Sequence, residues 1–293
     1  MKKIIILFGL CLCAGFSATA QDGENTDNVP VNKRGIAILP KAGDHVIGVS
    51  ADPFLVYLGN FFGKTTTNAS PEFKWDDVTF YGKYFLEDNR AIRAKLRVGY
   101  SSDQTKYFIT NDHISANDPL NPDATTADVV KTGTQGLGLS AGYEFRLGRG
   151  RLQGFYGAEV SLGYDKENIT YTYGNPMTDV NQAPTTFDDT TNPPTEAHKS
   201  SRATETKGGL AVNAGLGGFI GVEYFFAPKI SIGGEFGLGL SFSSKAQDET
   251  TLEKFNASSG QVETSTSRKG TTAGSDLSFG TTAVGSLFLL FHF

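Results

Sequence analysis

Arg93, Lys95 and Arg97 place three basic side chains at alternate positions of one short stretch. On an extended strand, residues two apart point to the same side, so the spacing predicts a single basic face. Glu144 and Arg146 repeat the spacing, and Glu159, Glu223 and Glu235 stand singly among glycines and apolar residues; Lys83 is a further base of this kind. Opposed charges in this pattern offer ion pairing or a charged path for small ions. Acid–base or nucleophilic catalysis needs more. His45 and His292 fall near strand ends and His113 and His198 in polar connections, and none is expected to have a strand-borne serine and carboxylate converging on it by register. No catalytic residue is therefore assigned, and no enzyme is expected. No spacing of metal ligands is present. Gly136–Ala141 spells a dinucleotide fingerprint only in letters, because it lies in a strand with no helix after it. No cofactor is expected.

The residues that position these charges read as strands. Segments Asp44–Ala51, Asp77–Leu86, Arg90–Ser102, Val129–Leu147, Arg151–Asp165, Lys207–Phe226, Ile230–Lys245 and Asp276–Phe293 alternate with period two. Leu137, Leu139, Ala141, Tyr143 and Phe145 line one face of the fourth segment, and Gly136, Gly138, Ser140, Glu144 and Arg146 the other. Each charge named above lies opposite an aliphatic and aromatic face. Turn residues at Glu87–Asn89, Gly148–Gly150 and Ala227–Lys229 make three connections tight, and long polar connections fall between them in alternation. Most of the charges lie near the tight turns. Further out, the same face carries Gly99, Gly136, Gly138, Ser161, Gly163, Asn213, Gly239, Ser241 and Ser243, which leave room. Pro53–Phe62 is continuously apolar and is expected to fold back into that room as a short helical plug or lie against a membrane leaflet, with a distorted continuation of the first two strands as the alternative.

Composition bounds the class. Gly is abundant at 35 residues, and no apolar run after the N-terminus is long enough for a membrane helix. Met1–Lys3 is basic, Ile4–Phe16 apolar, and Ser17–Ala20 ends in small residues, which is the form of a secretory signal over residues 1–20. Losing Lys2 and Lys3 takes the formal charge from −5 to −7, and no basic cluster remains to meet nucleic acid. Both cysteines, Cys11 and Cys13, lie within the signal, so stability must come from the sheet and not from disulfides.

The chain closes on Leu287-Phe-Leu-Leu-Phe-His-Phe293. A soluble sheet rarely ends on an apolar edge, which invites aggregation. With Leu289, Phe291 and Phe293 at alternate positions, the segment resembles the last strand of bacterial outer-membrane β-barrels, in which such residues form the assembly signal. Over residues Asp44–Phe293 the chain is similar to the small OmpA-barrel, OmpX-like and porin-like group of Gram-negative envelopes, without the periplasmic domain some members carry.

The resemblance and the pattern together imply an all-β fold, an eight-stranded antiparallel transmembrane barrel with short periplasmic turns and long extracellular loops. Residues 1–20 are expected to be the signal, 21–42 a flexible periplasmic arm and 43–293 the barrel. An eight-stranded barrel is just wide enough for side chains to fill it. Arg93, Lys95, Arg97, Glu144, Arg146, Glu159, Glu223 and Glu235 are expected to interlock as an ion-pair layer across its inner half. The partners implied are outer-membrane lipid, the barrel-assembly machinery and an extracellular ligand met through the loops, with the chain acting as a monomer. A structural or surface-interaction role leads. A small channel for ions or solutes, an outer-membrane lipid-modifying enzyme and a secreted β-sandwich stand as alternatives.

Overall fold

The computed structural model describes residues 30–31, 35, 37–50, 78–117, 121, 124–148, 150–188 and 194–293, with the side chains of 281–286 outside the description. The expected signal over 1–20 and the apolar segment Pro53–Phe62 lie outside the described residues. Eight strands form a closed antiparallel ring: β1 (His45–Ser50), β2 (Val78–Glu87), β3 (Arg90–Thr110), β4 (Thr125–Leu147), β5 (Leu152–Thr172), β9 (Ala211–Ala227), β10 (Ile230–Lys245) and β13 (Gly274–His292). Each pairs with the next, β5 pairs with β9, and β13 closes on β1 with Ile47 opposite Phe291 and Val49 opposite Leu289. His45 and Phe293 exchange backbone hydrogen bonds at 2.8 and 3.2 Å, so pairing runs to the last residue. Closure joins the two ends of the strand order at the turn end of the ring, where Val46–Ser50 meet Phe288–His292.

The period-two pattern decides which side of the ring each residue faces. Leu139, Val160, Leu216 and Leu238 are 56, 54, 59 and 46 % exposed, all on the outer surface. Alternate residues turn inward, and there Phe85, Phe155, Phe225, Phe288, Glu144 and Glu223 are wholly buried. Between β10 and β13 the register shifts after Glu235, whose partner is Ser286, to Gly237, whose partner is Thr282. The shift adds two residues to β13 and so preserves the parity. Phe279, Phe291 and Phe293 remain outward, at 69, 40 and 68 % exposure.

Three connections are short, at 88–89, 148–151 and 228–229, all at one end of the ring. At the other end the strands run well beyond the expected bounds. The polar stretch Asp103–Asp128, expected as a loop, is instead the paired continuation of β3 and β4, from Asp103↔Thr132 to Thr110↔Thr125, followed by the short helix α1 (Asp112–Asn117). Lys166–Thr206 contains the end of β5, the hairpin β6 (Thr185–Asp188) with β7 (Thr195–His198), and most of β8 (Ser201–Lys207). Ala246–Gly274 holds a second hairpin, β11 (Glu249–Asn256) and β12 (Gln261–Ser267). Strands β8, β11 and β12 extend the sheet outward from β5, above the level at which β9 leaves it. Part of the expected arm is docked and not free. Ile38 is buried, its carbonyl accepts from Lys229 N, and Ala42 N donates to Asp88 Oδ1 at 2.8 Å.

Candidate functional site

Inside the ring, near its turn end, the charges form one connected layer. Arg93 on β3 donates to Glu235 on β10 through Nη1 and Nη2 at 2.8 and 2.9 Å, and to Glu159 on β5 at 2.7 Å. Lys95 reaches the same two carboxylates, at 2.5 and 3.1 Å. Below them Lys83 on β2 lies 2.9 Å from Glu144 and 3.4 Å from Glu223, and Arg146 on β4 donates to both at 3.1 and 3.0 Å. Four bases thus meet four acids, and charge balances within the layer. That balance is required: a lone charge removed from water costs several kcal/mol or more, and pairing with full hydrogen bonding is what offsets it.

Aromatic rings fill the rest of the cross-section. The Arg93 guanidinium lies 3.6 Å from the Phe219 ring centroid, and Lys83 stands 4.9 Å above Phe155. Both contacts are attractive because the ring face is electron-rich. Phe155 and Phe219 have room only because the facing residues lack a Cβ. A methyl on Gly221 would overlap the Phe155 ring, and one on Gly157 the Phe219 ring. Charged groups and rings together leave this level of the lumen closed, with Lys83, Arg93, Glu144, Arg146, Glu223 and Glu235 between 0 and 6 % exposed. The inward rings were missed in the sequence because their positions fall among glycines on faces read as small or charged.

Arg97 departs from the expected layer. It is half-exposed, two residues further from the turns than Lys95, and pairs with Asp165 at 3.2 Å. Asp165 in turn accepts from Asn213 Nδ2 at 2.7 Å. Around these residues lie cavities of about 330 and 270 Å³; Arg97 lines both, with Asp165, Lys166, Glu167 and Lys245 at the first and Lys95, Glu159 and Asn213 at the second. A second departure lies at the turn end. His292 Nε2 is 3.1 Å from both Ser231 Oγ and Glu223 Oε1, and Ser231 donates to the same oxygen at 2.6 Å. A serine and a carboxylate therefore do converge on a histidine, contrary to expectation, because β9, β10 and β13 are neighbours. The geometry is not that of a nucleophile relay. Both partners meet one imidazole nitrogen, and the side chains of His292 and Glu223 are fully buried. A relay needs the base to bond its orienting carboxylate through the second nitrogen and needs room for substrate.

Beyond the ring, the outer strands form an ordered platform. Asp128, wholly buried, accepts from Gly174 N, Thr186 Oγ1 and Phe187 N at 2.8, 2.6 and 3.0 Å. Asp112 Oδ2 accepts from Asn181 Nδ2 and Thr185 N at 2.7 and 2.9 Å. Burial opposes the ionisation of Asp112, but the bonds from Thr185 and Asn181 outweigh it and hold the carboxyl below its ordinary value. Arg202 is buried over the Tyr173 ring at 3.9 Å and donates to Glu253 at 2.6 Å and to Asn175 O at 2.8 Å. Burial of Tyr173 raises its pKa. Tyr107 and Phe187 stack at 4.6 Å. Short polar residues do this work, and in a sequence they look like any solvated loop.

The fold and the site define a class: a closed antiparallel ring with a charged interior, an apolar exterior and one elaborated end. Comparison with known proteins adds little. No family model matches the chain, and no curated protein matches it. Among solved structures it is similar to the crystal structure of the outer membrane protein OprG from Pseudomonas aeruginosa, at 10 % identity over 87 % of this chain and 98 % of that one. The TM-score is 0.32, at which the likeness carries no inference about this chain.

Proposed function

We propose that the chain is an integral outer-membrane β-barrel that carries an ordered extracellular interaction surface and performs no chemistry of its own. The observation that carries this reading is the inverted polarity of the ring: Leu139, Val160, Leu216 and Leu238 face out while Glu144 and Glu223 are wholly buried. Water-soluble proteins keep such charges outside, and an exposed apolar surface of this extent needs a partner. Lipid is the partner that suits a surface wrapping all the way round. In lipid backbone groups must be paired, and closure of β13 on β1 over Val46–Ser50 supplies that pairing where the ring would otherwise have its two edges. Outward aromatics such as Tyr100, Tyr164 and Phe242 at one end of the apolar band, and Phe145, Phe226 and Phe293 at the other, suit the two headgroup boundaries. Short turns on one side and long elements on the other fit a periplasmic and an extracellular end. Leu289 and Phe291 on β13 and Phe293 just after it would engage the barrel-assembly machinery, and the barrel would work as a monomer.

The closed charged layer favours a scaffold over a conduit. The channel reading draws on one observation, the polar cavities around Arg97 and Asp165, and it would require the layer below to part. Planar-bilayer recording of the purified protein separates the two. The scaffold reading expects no steady conductance. Steady conductance that Glu235→Gln changes would establish the channel instead.

A further inference from the structure

Strand β12 ends the outward-extended sheet. It pairs on one side with β11 over seven unshifted positions, from Thr250↔Ser267 to Asn256↔Gln261. On its other side it has no partner strand among the described residues. Gln261–Thr266 are exposed throughout. A strand paired on one side only leaves a row of N–H and C=O groups directed outward, ready to pair with another chain. Natural edges are commonly blunted by proline, by charged side chains, lysine above all, or by a bulge. Gln261-Val-Glu-Thr-Ser-Thr-Ser267 has no proline, lysine or bulge, and Glu263 is its one charge. The edge is also firmly held from beneath, since Glu253 of β11 is gripped by the buried Arg202, and Thr251 and Thr266 meet across the hairpin at 3.2 Å. Little order would be lost on binding, which favours affinity.

We infer that β12 is a docking edge that takes one extended peptide segment of another protein as an added antiparallel strand, with a basic residue opposite Glu263. Glu263 is the one ionisable side chain between Gln261 and Ser267; it stands opposite Lys254 of β11, and Asn256 Nδ2 and Ser259 Oγ hold its carboxylate at 2.8 and 2.9 Å, so a base on the guest strand would flank it from the open side. Opposite charges facing each other across two strands favour the pairing, and like charges oppose it. Val262, Thr264 and Thr266, on the other face of β12, suit β-branched neighbours in the guest strand. A second copy of this chain fits less well. Two copies in one membrane share an axis along the membrane normal, so strands rising from their rings could meet only in parallel. Where the guest strand comes from rests on the proposed outer-membrane orientation; the pairing itself does not.

The test uses the full chain in lipid nanodiscs and a fluorescent seven-residue peptide of threonine and valine with one lysine placed to oppose Glu263. Saturable binding is expected, with slowed amide exchange confined to Gln261–Ser267. Glu263→Lys should weaken binding of that peptide by up to about fivefold and strengthen binding of its glutamate counterpart to a similar degree. Adjacent residues direct their N–H groups to opposite sides, so one of Thr264→Pro and Ser265→Pro should abolish binding while the other does not. If either proline variant fails to fold, the charge swap still decides. Absence of saturable binding, protection elsewhere, an ineffective charge swap, or a β12-dependent dimer of the unliganded protein would overturn the inference. Labelling of Ser265→Cys on intact cells with an impermeant maleimide tests the orientation separately. An unlabelled cysteine would count against the outer-face reading and leave the nanodisc result standing.

Discussion

Arg93 and Glu235 face each other across the lumen, from β3 to β10, through two parallel hydrogen bonds of 2.8 and 2.9 Å. They are 142 residues apart in the chain, and only ring closure brings them together. The two-pronged geometry fixes both side chains and joins the fork of a guanidinium to both oxygens of a carboxylate. Lys95 and Glu159 complete the same cluster, so this pair is a cross-brace between opposite walls of the ring.

Removing one partner of this brace should cost far more than removing an exposed one. Glu235→Ala leaves Arg93 and Lys95 sharing Glu159, with Glu144 3.7 Å from Arg93, in a buried setting, and a loss of about 3–5 kcal/mol in unfolding free energy is expected. Asp165→Ala breaks the half-exposed pair with Arg97 and the bond from Asn213, and the expected loss is about 1–2 kcal/mol. Urea unfolding in detergent micelles measures both. Equal losses would mean that burial of the layer is not what gives it weight.

Glycine should matter most where a ring lies over it. Gly221→Ala drives a methyl into the Phe155 ring and the backbone behind it, and should destabilise by about 1–3 kcal/mol. Gly82→Ala places its methyl in open contact, near 4.0 Å from the nearest atom, and should be close to neutral. The midpoint of heat-modifiable gel migration ranks the two variants.

The platform should loosen in acid through Asp112. Its pKa is lowered in the folded state from an ordinary 3.8, so its contribution to stability is fully present above that value. The contribution is lost as pH falls through the folded value. Amide protection factors in α1 and β6, taken relative to the intrinsic rate at each pH, should therefore fall below about pH 4, and Asp112→Asn should flatten that part of the profile. An unchanged profile in the variant would assign the acid response to another group.

Much of the ring was legible in the sequence, because period-two alternation fixes both the strands and their faces. Each of the eight segments falls on a ring strand, although Lys207 of the sixth belongs to β8 and its ring strand begins at Ala211, and the connections after β2, β4 and β9 are tight. The charged residues were legible as inward-facing, but their partners were not. Arg93 with Glu235, and Ser231 and Glu223 with His292, depend on which strands lie opposite or adjacent. Arg97 was grouped with the layer because it shares a face with Arg93 and Lys95; a further rise of two residues along β3 was enough to carry it to Asp165. The outer platform was hidden by composition. Asp128, Asn175 and Asp112 look like loop residues, and their roles come from backbone groups brought to them by the fold. One signal was available: Thr-rich alternation on both sides of Asn256–Gly260, where Gly260 takes φ +64°, marks the β11–β12 hairpin.

In the proposed barrel, aliphatic side chains of the ring face acyl chains and the charged ones face its axis. Single spin labels at Leu139, Val160, Leu216 and Leu238, and at the inward positions Ser161 and Ser241, test it in protein reconstituted into liposomes. Collision with lipid-soluble oxygen should be frequent and with a water-soluble nickel chelate rare at the four outward sites, while Ser161 and Ser241 show little oxygen contact. Outward labels shielded from oxygen, or fully reached by the chelate, would contradict the account.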